Sequence, residues 1–201
     1  MKNVYSFLLP RTIFVNGGIF MKATGIVRRI DELGRVVIPK EIRRTLRIKE
    51  GDPLEIFTER DELMLKKYSP IATLERFSKA TARSLNDLSG KLAVICDTDG
   101  VLYAFGDGRK DLDGKRLSEN MDKILKERRS YVACLSNGGT VIPISSPAEE
   151  GVTAQVIVPI VSGGDCLGAV AVLSKTEGAM VEENDLNLAK LTADILANQF
   201  E

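Results

Sequence analysis

The spacing of apolar and polar residues from position 24 to position 67 predicts a small unit of short strands and one short helix. Runs rich in β-branched or other large apolar residues are typical of strands, and they occupy residues 24–30, 35–38, 54–59 and 63–67. Asp31-Glu-Leu-Gly34 has the composition of a tight turn, because glycine adopts positive φ at little cost. Pro39 suits the first turn of a helix, which we expect to end near Leu46.

Beyond residue 69 the spacing changes to that of longer helices and buried strands. Apolar residues at three- and four-residue steps predict a helix over residues 71–88, and further helices are expected near 118–127 and over 182–200. Six apolar runs bounded by turn residues are predicted as strands: 92–96, 101–105, 131–134, 140–144, 153–160 and 166–173. This order of elements predicts one antiparallel sheet with helices on its faces, so the chain is of the α+β class.

The change of pattern at Ser69-Pro70 divides the chain. We expect four parts: an extension over 1–20, a small unit over 21–68, a linker with the first helix over 69–90, and a rear domain over 91–201. The extension resembles a secretory signal, but Pro10 and Arg11 interrupt its apolar run. We therefore expect either an upstream start codon or a disordered arm, with Met21 beginning the fold. No run reaches the ~20 apolar residues of a membrane span.

The small unit cannot bury a sufficient core by itself. Units of about 47 residues usually need a metal, disulfides or a partner subunit. The chain has no histidine and three widely spaced cysteines, Cys96, Cys134 and Cys166, which we expect to be small core residues in a reducing compartment. The remaining solution is an obligate dimer that shares hairpins. Histidine is also the commonest general base, so its absence argues against an enzyme.

Charge is distributed unevenly, although the formal net charge is zero. Residues 22–49 hold nine Lys or Arg and three acidic residues, which leaves +6, whereas residues 68–201 hold fourteen basic and nineteen acidic residues, which leaves −5. Six of the nine front cations are arginines, whose guanidinium groups match phosphate. At 100° per residue the short helix has a basic side and an apolar side that carries Ile42 and Leu46. The front is therefore expected to bind nucleic acid.

A resemblance to AbrB-type transition-state regulators is carried by Thr24-Gly-Ile-Val-Arg-Arg-Ile-Asp-Glu-Leu-Gly-Arg-Val-Val-Ile-Pro-Lys-Glu-Ile-Arg-Arg-Thr-Leu46. With the Leu-Glu-Ile-Phe and Leu-Met-Leu-Lys-Lys-Tyr that follow, it covers residues 21–68. The resemblance implies a swapped-hairpin β-barrel, in which two chains interleave their strands into one unit that binds double-stranded DNA. It also implies that certain arginines contact DNA: Arg28, Arg35, Arg43 and Arg44, with Arg29 at a further basic position.

The rear domain resembles a GAF domain through the order of its elements. The combination is similar to sporulation-stage regulators of spore-forming bacteria, which implies a transcriptional activator or repressor in the bacterial cytoplasm, associated with the nucleoid. It implies a dimer through residues 21–68. If the GAF-like domain and the terminal helices pair with a second dimer, a tetramer results, whereas pairing within the same two chains leaves a dimer. No cofactor, metal or membrane partner is expected. The GAF-like domain either senses an unknown small molecule or serves assembly alone.

Two other functions stay open. The front unit is also typical of antitoxins that bind DNA and a toxin, although a folded rear domain argues against that role. Alternatively, the protein is a ligand-sensing signalling protein whose front unit only dimerises. Against a signalling enzyme stand the missing histidine and the lack of a phosphate-binding glycine loop before a helix.

Overall fold

The computed structural model describes residues 12–15, 19–22 and 24–200. It divides into two compact units, residues 1–54 and 55–201. Strands β1 (Thr12–Val15) and β2 (Ile19–Lys22) pair in antiparallel fashion, with Thr12 opposite Lys22. Most of the predicted extension lies outside the described residues, so an upstream start or a disordered arm stays a prediction.

The predicted strands 24–30 and 35–38 do not form a ladder within the described chain. The turn between them does form, because Gly34 N donates to Asp31 O and Asp31 N donates to Arg35 O, both at 3.0 Å. The flanking apolar side chains are exposed: Ile26, Val27, Ile30, Val36 and Val37. Strands need a neighbour to satisfy their backbone groups and cover their side chains, and the described part of this chain supplies none.

The rest of the front follows the prediction closely. Helix α1 spans Lys40–Thr45 directly after Pro39, and β3 (Leu54–Glu59) and β4 (Glu62–Lys67) form a hairpin. Helix α1 ends in a Schellman arrangement, in which Ile48 N donates to Arg43 O at 2.7 Å. Arg47 has left-handed φ of 52° at this end. It therefore lies beyond the end of the helix.

The second unit contains the predicted antiparallel sheet, which has five strands where the sequence predicted six. From Pro70 onward its helices and strands are α2 (Pro70–Thr73), α3 (Glu75–Ser89), β5 (Leu92–Asp97), β6 (Val101–Phe105), β7 (Arg116–Leu117), α4 (Glu119–Glu127), β8 (Tyr131–Cys134), β9 (Ser145–Ser146), β10 (Ala154–Ser162), β11 (Asp165–Ser174) and α5 (Glu183–Ala197). The main sheet has the order β6-β5-β11-β10-β8, and every pair is antiparallel. Helices α3 and α5 contact one face, and α4 packs on the other.

Two predicted elements beyond residue 69 also differ from the structure. The single helix expected over 71–88 is divided at Leu74, where the backbone leaves helical geometry and the buried Ser78 hydroxyl donates to Ile71 O at 3.1 Å. The segment 140–144, expected as a strand, is irregular, because side chains form hydrogen bonds with its backbone N–H and C=O groups in place of a neighbouring strand. With its amide oriented to satisfy both groups, Gln155 bonds the carbonyl and the N–H of Ile142 at 3.0 and 3.2 Å. Glu149 accepts from Ile144 N at 2.6 Å.

The cysteines are free and lie in or beside the core. Cys96 and Cys134 are buried and Cys166 is half-buried, so the prediction of small core residues is confirmed for the first two. Burial raises the pKa of the Cys96 and Cys166 thiols. Neither is a reactive thiolate at neutral pH.

We expect Lys91→Met to destabilise the second unit by about 3 kcal/mol. Lys91 Nζ lies 2.6 Å from Asp185 Oδ2, and the Asp185 side chain is only 6% exposed. Loss of the ammonium leaves that carboxylate buried without its cation. Urea denaturation measures the difference, and Lys190→Met, an exposed position on α5, is the control with an expected change below about 0.5 kcal/mol. Equal stability of the two variants would contradict the prediction.

Candidate nucleic-acid interface

All five predicted DNA-contacting arginines are exposed and lie within one short stretch of the front unit. Arg28 and Arg29 precede the Asp31–Gly34 turn and Arg35 follows it. Because the turn closes through the Asp31 N to Arg35 O bond, it brings the two flanking segments side by side. Arg43 and Arg44 occupy the last turn of α1.

The electrostatics of this stretch are dominated by uncompensated cations. Among the described residues, Arg35 is the one member of the five whose guanidinium is paired with a carboxylate, through its Nε 2.8 Å from Asp31 Oδ2. The side chains of Arg28, Arg29, Arg43 and Arg44 have no such partner there. Exposed guanidiniums without a carboxylate partner are available to phosphate oxygens and to guanine edges.

Helix α1 gives Arg43 and Arg44 a defined backbone although it is short. Arg43 N donates to Pro39 O at 2.9 Å, so the proline carbonyl begins the helix, and the Schellman bond to Arg43 O ends it. Ile42 is half-buried, whereas the two arginines point to solvent. Consecutive residues on a helix are 100° apart, so the pair presents a broad cationic face.

The prediction overlooked Asp31 as part of the site and assigned it to the turn alone. Its carboxylate contacts both the turn backbone and Arg35. The signal was present in the sequence, because an Asp four residues before an Arg across a turn glycine is well placed to bond to its own turn. Within the described residues there is no cluster of three or more potential metal ligands. No helix in the same part of the chain is long and apolar enough to span a membrane.

Both parts of the chain match known protein families. Residues 73–201 match the family described as "Stage V sporulation protein T C-terminal, transcription factor". Stage V sporulation protein T of Bacillus subtilis is 45% identical over 182 residues, which cover 90% of this chain and 99% of that protein. The chain belongs to the stage V sporulation protein T family. Its similarity to this relative therefore extends over both the arginine-bearing front and the rear domain.

The front has its own relatives. Transition state regulatory protein AbrB of Bacillus subtilis is 51% identical over 75 residues, which cover 37% of this chain and 78% of that protein. Residues 27–73 also match the family described as "Antidote-toxin recognition MazE, bacterial antitoxin". The predicted resemblance to AbrB-type regulators is confirmed.

The rear domain has the predicted GAF fold. The GAF domain of PixJ from Thermosynechococcus elongatus superimposes with a TM-score of 0.50, covering 67% of this chain and 90% of that domain at 12% sequence identity. At this identity the likeness concerns the fold alone. It agrees with the antiparallel sheet and flanking helices described above.

Proposed function

We propose that this protein is a DNA-binding transcription regulator of sporulation genes, acting in the bacterial cytoplasm at the nucleoid. The observation that carries the proposal is the group of five exposed arginines in the front, the part of the chain related to AbrB. The relationship to stage V sporulation protein T over 90% of the chain supports the sporulation role. An enzymatic role finds no support in a family described as a transcription factor.

We propose that the DNA-binding unit is a dimer with a swapped-hairpin barrel formed by residues 21–68. Support comes from the segments on both sides of the Asp31–Gly34 turn, whose apolar side chains are exposed, with Val27 84% and Val37 72% accessible. Burying such side chains against a second copy stabilises the pair by about 25 cal/mol per Å². Strand pairing with that copy also satisfies the backbone groups.

The arginines would read DNA by several means at once. Phosphate neutralisation supplies sequence-independent affinity, and some arginines bond to guanine O6 and N7 in the major groove. A helix of six residues carries few side chains that reach base edges. We therefore expect loose consensus sites with a contribution from DNA shape.

Chromatin immunoprecipitation of the full chain from sporulating cells tests the proposed function. We expect enrichment at promoters whose transcripts change when the gene is deleted. A deletion strain that expresses an Arg43→Ala/Arg44→Ala variant serves as the matched control, and its enrichment should fall to background. Promoter occupancy that is equal for parent and variant, or absent from both, would contradict the proposal.

We propose further that the rear domains join two dimers into a tetramer. Helices α3 and α5 contact each other on one sheet face and carry exposed apolar side chains between 37% and 69% accessible: Phe77, Leu88, Leu191 and Ile195. Isolated exposed apolar residues are ordinary, but a pair of packed helices that carries four of them favours a helix–helix interface.

Light scattering on the full chain, as it elutes from a size-exclusion column, measures how many chains this assembly contains. We expect the parent to be a tetramer and Leu88→Glu/Leu191→Glu to be a dimer, because buried carboxylates without partners oppose association. Asp87→Lys/Lys190→Glu alters neighbouring exposed positions on the same two helices and should leave the tetramer intact. A parent dimer, or a double-Glu variant that remains tetrameric, would overturn the assignment.

The match of the front to MazE favours one second candidate, an antitoxin-like module that binds both DNA and a toxin. We prefer the regulator, because stage V sporulation protein T matches both the front and the rear of this chain, and the match covers 99% of that protein.

Small-molecule sensing by the GAF-like domain remains part of the proposal. A ligand there would shift DNA binding only by its differential affinity for two arrangements of the rear domain.

A further inference from the structure

An acidic side chain lies in the middle of the arginine-rich stretch. A carboxylate near DNA phosphates weakens binding by direct repulsion. The Asp31 carboxylate nevertheless lies among the five arginines and pairs with one of them, Arg35.

The Asp31 carboxylate joins the turn backbone to a guanidinium. Its Oδ1 accepts from Leu33 N at 3.0 Å and from Arg35 N at 2.8 Å. Its Oδ2 accepts from Arg35 Nε at 2.8 Å. The backbone and side-chain hydrogen bonds from Arg35 lower the pKa of Asp31, so the carboxylate is ionised at neutral pH.

This arrangement determines which nitrogen atoms of the Arg35 guanidinium can donate to DNA. Because Nε is occupied, the two terminal amino groups form the fork that remains for an acceptor pair such as guanine O6 and N7. The Arg35 side chain is still 70% exposed, so DNA can reach it. Restricting a long side chain before binding reduces the entropy lost on binding.

We infer that Asp31 is a positioning residue that directs the Arg35 fork toward a base and so contributes to sequence preference rather than to total affinity. The inference rests on the proposed DNA-binding function. Glu32 provides the comparison, because it is the next residue, is also exposed, and has no hydrogen bond or ion pair among those found in the described part of the chain.

The test uses the full-length chain and two duplexes: one enriched by the parent protein from a random-sequence pool, and the unselected pool itself. The measured quantity is the affinity for the enriched duplex divided by the affinity for the pool, at one salt concentration. In Asp31→Asn the amide oxygen can still accept from the turn backbone, but the amide nitrogen cannot accept from Arg35 Nε. We expect its affinity for the pool to rise and the ratio to fall about threefold to tenfold.

Two further variants separate positioning from charge. Glu32→Gln removes the same charge and should raise both affinities equally, with the ratio unchanged. In an Arg35→Gln background, Asp31→Asn should no longer change the ratio, since the side chain that it directs is absent. Circular dichroism of each variant monitors the fold.

The outcomes distinguish this inference from the function on which it rests. An unchanged ratio in Asp31→Asn, or the same fall in the Arg35→Gln background, would overturn the positioning role. A parent that binds DNA without preferring the enriched duplex would also overturn it, while leaving DNA binding intact. A parent that binds neither duplex would overturn the proposed function itself.

Discussion

Arg43→Ala/Arg44→Ala is expected to weaken binding to a promoter duplex at least about 100-fold, because each good arginine contact to a base contributes about 1–3 kcal/mol. Both guanidiniums are exposed in the last turn of α1 and have no carboxylate partner in the described chain. The proposed dimer carries each of them twice, so the variant would lose four positive charges. The dependence of affinity on salt should therefore also become shallower. Fluorescence anisotropy over a salt series measures both effects.

Arg109→Ala/Lys110→Ala is the matched control for this variant. Both side chains are exposed and lie in a short 3₁₀ turn of the second unit, so the same charge is removed from a different part of the chain. We expect a change below about threefold, typical of long-range charge effects at moderate salt. An equal loss in both double variants would show that net charge, not the α1 surface, governs binding.

Gly168→Ala is expected to destabilise the second unit by about 3 kcal/mol or more. Gly168 lies in β11 opposite Asp97 of β5. A Cβ at this position would overlap the carbonyl oxygen of Cys96 and lie 2.9 Å from Cα of Asp97. Both are backbone atoms of a central strand, so the clash can be relieved only by separating β5 from β11. Urea or thermal unfolding followed by circular dichroism measures the loss.

Gly178→Ala separates this steric effect from dihedral strain. Gly178 has φ of 72°, and a Cβ there would meet no heavy atom within 4 Å. The substitution therefore costs only the left-handed conformation, about 1 kcal/mol. If Gly168→Ala were no more destabilising than Gly178→Ala, the close approach of β5 and β11 would not limit stability as argued.

The sequence predicted those elements whose hydrogen bonds and core are local. The β3–β4 hairpin, the turn at Gly34 and five of the six rear strands follow from turn residues and apolar spacing. The five arginines were found because a short, strongly basic segment stands out in a neutral chain. Their assignment as DNA contacts came from the resemblance to a family, since charge alone does not separate a binding surface from a solvated one.

The failures occurred where another side chain bonds to the backbone, or where the described chain supplies no neighbouring strand. Residues 140–144 have the composition of a strand, but Gln155 and Glu149 occupy the backbone groups of that segment. The segments at 24–30 and 35–38 have strand composition and lack a neighbour in the described chain. Asp31 was assigned to the turn alone, although its position four residues before Arg35 across the turn glycine was a signal for the contact that the structure shows.

The slope of log affinity against log salt concentration, for the full chain on a random-sequence duplex, tests most directly whether the exposed arginines of a paired front unit bind DNA. With at least four arginine–phosphate contacts, two from each chain of the proposed dimer, we predict a slope of about −3.6 or steeper between about 50 and 200 mM salt. A slope near zero, or no binding at about 50 mM salt, would contradict the account.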